Sequence, residues 1–172
     1  RLTGVCRTEG FVTMVVARFD TTGLVLHYAS AGHESGLLLP AEGRLTELTS
    51  TGMILGILED ENWITRTVAL HRGDRLLLVT DGVTEAMNAQ ERMFGRKRLA
   101  DGFEACRDKE IGEAIVSMGK AVADYCEKRP YSDDVTLLAL EVATDRTCGD
   151  LPRTGNGSLE PARRRENVST ES

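Results

Sequence analysis

From residue 11 the chain alternates short apolar runs with turn chemistry, and the pattern changes character only after residue 88. Residues 11–19, F-V-T-M-V-V-A-R-F, are β-branched and aromatic with apolar side chains on both alternating faces, which predicts a buried strand with Phe11 and Thr13 in its core. Asp20-Thr21-Thr22-Gly23 is turn chemistry, and 24–31 resumes the pattern, so the two segments read as a hairpin. Strands over 36–39 and 44–48 bracket Pro40-Ala41-Glu42-Gly43 as a second hairpin. A strand over 63–70 then turns at His71-Arg72-Gly73 into the run 76–79, L-L-L-V. That run has no polar alternation, so it is expected to be covered on both faces. It stops at Thr80-Asp81-Gly82, with a short helical piece over 83–87 behind it. Strands this close together predict an antiparallel meander, because βαβ units space their strands further apart.

The second half is helical. Residues 95–106 carry Leu99 and Phe103 at helical spacing. Over 110–128, Ile111, Ile115, Met118, Val122 and Tyr125 form one apolar stripe, read as the face of a helix packed on a sheet. Asp108 is its expected N-cap, and Arg129-Pro130 ends it. A last strand over 135–142 follows the carboxylate pair Asp133-Asp134. Residues 144–172 hold few large aliphatic side chains, and such a segment cannot offset its ordering entropy. The expected organisation is therefore one domain over 1–143 and a disordered polar tail over 144–172.

Composition narrows the function classes. The 172 residues carry a formal net charge of −6, which argues against nucleic acid as a partner. No apolar run approaches a membrane span, and no secretory pattern opens the chain. Cys6, Cys106, Cys126 and Cys148 are scattered without a C-x-x-C pair, so zinc and redox roles have little support. Reduced thiols acting as small apolar residues point to a cytoplasmic protein. The chemistry lies elsewhere. Asp81 ends one strand and Asp133 precedes another, and carboxylates delivered to strand ends can converge on hard cations such as Mg or Mn.

Five segments in order carry a resemblance: F-V-T, A-G-H, G-D-R-L-L-L-V-T-D-G-V-T-E, F-G and S-D-D-V-T-L-L. Together they resemble the PPM family of metal-dependent serine/threonine phosphatases, in its bacterial SpoIIE/RsbU-type branch. The resemblance implies an α+β fold, an antiparallel β-sandwich flanked by helices. It implies Asp81 and Asp133 as metal ligands, with Gly82, His33 and Asp134 beside the site. Glu85 is assigned to capping the short helix, and Ser35 stands near where the branch usually has Pro. The family's G-D-x-x-G-H-G segment, which supplies a further Asp and a carbonyl, is not present. The expectation is a C-terminal portion of the domain, inactive alone.

In the complete domain the resemblance implies two Mn or Mg ions roughly 4 Å apart activating a water for direct in-line attack. No side chain would act as catalyst beyond that metal-bound water; the chain has no G-x-S-x-G elbow and no cysteine in a basic setting. The implied substrate is phosphoserine or phosphothreonine on a bacterial regulatory protein, an anti-anti-sigma factor of the STAS type. A sensor domain would lie upstream. The competing class is a non-catalytic interaction module that keeps the fold and has lost its metals.

Overall fold

A computed structural model describes residues 10–57, 61–127 and 129–143. Among these described residues, seven strands and three helices follow in the order β1 (Met14–Asp20), β2 (Val25–Ala31), β3 (Gly36–Leu39), β4 (Thr46–Leu48), β5 (Arg66–Ala69), β6 (Arg75–Val79), α1 (Asp81–Thr84), α2 (Gly95–Glu104), α3 (Ile111–Tyr125) and β7 (Leu137–Glu141). The strands form two antiparallel sheets, ordered β1-β2-β5 and β4-β3-β6-β7. The α+β sandwich expected from the strand pattern is the fold.

Period-2 alternation in β3 and β6 divides the core into two layers. Leu37, Leu39, Leu77 and Val79 point to the helices, where they meet Leu99, Phe103, Met118 and Val122. Their sequence neighbours Leu38 and Leu76 point the other way, toward Leu26 and Tyr28 of the three-stranded sheet. Each fully buried leucine contributes about 1.5–3 kcal/mol, so a strand with apolar residues on both faces belongs in the middle. That strand is β6, as its unbroken apolar run predicts. α3 lies against β7 and α2, with Ala114, Met118 and Val122 buried. Cys106 and Cys126 are buried just past the helix ends, and burial pushes the Cys126 thiol above its usual pKa, which keeps it a neutral apolar group.

Two buried polar side chains tie the layers. Arg75 donates from Nη1 to Cys106 O at 2.8 Å and from Nη2 to Lys109 O at 2.6 Å, while Nε pairs with Glu141 at 2.7 Å. Asp74 accepts from the backbone N–H of Ala41 at 2.9 Å and of His71 at 2.8 Å, pinning two turns.

Four expectations need correction. β1 begins at Met14, so Phe11 lies ahead of it and is 63% exposed, and the strand's outward side chains are uncovered, Val16 at 58%. An apolar pattern on both faces does not reveal whether a second layer is present. Thr13 is exposed too, and does not join a core. The strands are not one sequential meander, because β5 pairs with β2 whereas β6 pairs with β3. The chain therefore crosses between sheets at the His71–Asp74 turn, where Gly73 takes φ +86°. β5 is also shorter than expected: Trp63 stands outside it, its indole N–H donating to Met53 O at 2.7 Å. Finally, Glu110 rather than Asp108 occupies the N-cap of α3, with no side-chain cap bond. The expected tail over 144–172 lies outside the described residues.

Candidate metal site

β6 and β7 bring the two carboxylate segments together by register. Val79 pairs with Leu137, so the end of β6 lies opposite the start of β7. The chain leaves β6 through Thr80 into α1 with Asp81 as its first residue, and it enters β7 from Asp133-Asp134. Thr80 N–H donates to Thr136 O at 3.2 Å, which extends the ladder one step past the strand.

Contact at this end is close. A Cβ placed on Gly82 would lie 2.5 Å from Asp134 O and 3.2 Å from the Asp133 carbonyl carbon. Only glycine lets the two turns touch. The carboxylates are held by matching local bonds: Asp81 Oδ1 accepts from Gly82 N–H at 2.9 Å, and Asp133 Oδ1 accepts from Asp134 N–H at 2.7 Å. Each bond orients one oxygen and leaves the other without a hydrogen-bond partner among the described residues. Asp81, Asp133 and Asp134 are all exposed, and Tyr131, Ser132, Asp133, Asp134 and Val135 line an open concavity.

His33 sits elsewhere in the bonding pattern, its Nδ1 3.2 Å from Thr13 Oγ1. Its loop is anchored to the start of α2, where Arg96 pairs with Glu34 and with Glu47 at 3.2 Å and donates to Ser35 O at 3.3 Å. Glu85 closes α1 as its C-cap through a backbone bond to Asp81 O, and its side chain is exposed, so it does not cap the helix start. Among the described residues no three His, Cys, Asp or Glu side chains form a group able to hold a metal ion. Asp81 and Asp133 stand exposed on adjoining turns and offer hard oxygen atoms, the donor type that Mg or Mn takes, but fewer of them than a whole shell needs.

Sequence reasoning missed Thr80. Its hydroxyl donates to Asp134 O at 2.7 Å and accepts from Thr136 N–H at 2.9 Å, so one side chain joins the two turns. A threonine at the end of an apolar strand gives no signal of that role. Gly82 was legible as a turn glycine, but not as the point of contact.

Comparison with known proteins bears on the family and the fold. The profile of the family described as Stage II sporulation protein E (SpoIIE) matches residues 1–143. Phosphoserine phosphatase RsbU of Bacillus subtilis is 36% identical over 76 residues, 44% of this chain and 23% of RsbU. The SiaA-PP2C domain of Pseudomonas aeruginosa superposes with a TM-score of 0.70 at 22% identity, over 78% of this chain and 53% of that one. The catalytic domain of the serine/threonine protein phosphatase PstP, solved in complex with two manganese ions, gives a TM-score of 0.60 at 18% identity over 83% of this chain and 64% of its own. At those identities the two structures establish the fold alone. The chain spans about a fifth of the length of the curated relatives it matches.

Proposed function

The chain belongs to the SpoIIE family, and we propose that it forms part of a divalent-metal-dependent protein serine/threonine phosphatase in which Asp81 and Asp133 are metal ligands. The observation that carries this reading is the contact between their two turns, 2.5 Å from the Cβ position of Gly82 to Asp134 O. Ionised carboxylates brought to one place repel, and a cation between them relieves the repulsion. The two manganese ions in PstP support a pair of Mn or Mg ions here.

The metal ions, when bound, supply an activated water and neutralise charge on the phosphoryl group. The chain's own residues do the positioning. Asp81 and Asp133 present hard oxygens from the ends of two paired strands, with one oxygen of each fixed by a neighbouring backbone N–H. Gly82 admits the close approach, and Asp134 contributes its carbonyl to the link with Thr80. The concavity around Tyr131 and Ser132 leaves the carboxylates open to a large substrate, as phosphoserine or phosphothreonine on a protein requires. A STAS-type anti-anti-sigma factor is the substrate we assign, in line with the resemblance to the RsbU branch, with a sensor domain upstream. Because no three donor side chains group together among the described residues, this segment alone is expected to bind Mn weakly and turn over little.

The test is hydrolysis of a phosphoserine protein by the whole phosphatase that contains this segment, with and without Mn. Asp81→Asn and Asp133→Asn keep side-chain shape and remove one ligand charge each. Both are expected to abolish Mn-dependent turnover while leaving thermal unfolding nearly unchanged. Full activity in both variants would overturn the assignment.

A further inference from the structure

We infer that Thr80 is a positioning residue of this site: its hydroxyl sets how far apart the Asp81 and Asp133 turns stand, and so sets metal affinity. The inference rests on the two-carboxylate reading above. Three bonds converge on Thr80. Its N–H donates to Thr136 O, its Oγ1 donates to Asp134 O, and the same Oγ1 accepts from Thr136 N–H. At 2.7 and 2.9 Å the two side-chain bonds are short and use the hydroxyl as donor and acceptor at once. The residue next to Thr80 is Asp81, and the residues flanking its partner carbonyl are Asp133 and Val135. Among the described residues no other side-chain hydrogen bond joins the segment 80–82 to the segment 133–136. The Gly82 contact limits how close the turns come, and the Thr80 hydroxyl holds them at that limit.

A merely structural role would read out differently. Asp134 and Thr136 are exposed, so water can take over both bonds once the hydroxyl is gone, and the fold loses little. Spacing between the carboxylates has no such substitute. Groups that orient ligands typically carry a factor of about 10–100 in metal affinity.

The experiment measures Mn binding by the whole phosphatase, using the electron paramagnetic resonance signal of free Mn, beside thermal unfolding. Thr80→Val is expected to weaken Mn binding at least about tenfold while Tm falls by no more than about 5 °C. Thr80→Ser, which keeps the hydroxyl, is expected to restore binding. In the metal-free protein the Thr136 amide should exchange faster in the Val variant and not in the Ser variant. Wild-type Mn affinity in Thr80→Val, or failure of Thr80→Ser to restore it, would overturn the inference. So would loss of cooperative unfolding in Thr80→Val, which would make the hydroxyl structural. Asp81→Asn, run alongside, separates the two claims: if it retains full Mn binding, the ligand assignment itself has failed.

Discussion

The two sheets are built from similar residues and live in different surroundings. In the four-stranded sheet, β6 has helices on one face and a second sheet on the other, and Leu76, Leu77 and Val79 are 3% exposed or less. In the three-stranded sheet, β1 has neighbours on its inner face only, and Met14 and Val16 are 42% and 58% exposed. Both strands are apolar at consecutive positions. Asp81 follows the strand that is fixed from both sides, and Asp133 precedes its neighbour β7, the edge strand of the same sheet. A ligand on a strand so packed cannot drift, whereas one at the end of β1 would move with an uncovered edge.

Substitutions can break that contrast. The largest effect is expected from Leu77→Ala, which opens a cavity where the side chain is fully buried and costs about 2–5 kcal/mol in denaturant unfolding. Arg75→Met strands Glu141 and two helix-layer carbonyls beneath the same strand. It should cost about 3 kcal/mol by the same measurement, and a loss near zero would show that the helix layer is held by apolar contact alone. Gly82→Ala forces the two turns apart and is expected to cost about 1–3 kcal/mol in Tm-derived stability. It should weaken Mn binding out of proportion to that loss. Val16→Thr, on the uncovered face, should stay within about 0.5 kcal/mol. A large loss there would mean that the outer face of β1 is packed in the protein.

Much of the four-stranded sheet was legible beforehand. The run at 76–79 announced a strand covered on both sides, and the stripe from Ile111 to Tyr125 announced the helix that covers one of them. Both follow from side-chain period, which depends only on local sequence. What period cannot give is partnership. Nothing local to His71-Arg72-Gly73 distinguishes a hairpin from a crossing between sheets, and nothing local to Val16 records whether a layer lies above it. The site was legible as residue types at strand ends, Asp81 and Asp133. Its geometry was not, because the Gly82 contact and the Thr80 bonds span more than fifty positions of chain.

The central claim is that Asp81 and Asp133 share a metal. Anomalous scattering at the manganese edge, from crystals of the whole phosphatase domain grown with Mn, tests it most directly. The account predicts a peak within about 2.3 Å of a carboxylate oxygen of each residue. Peaks bound by other residues, with both carboxylates hydrogen-bonded only to protein or water, would contradict it.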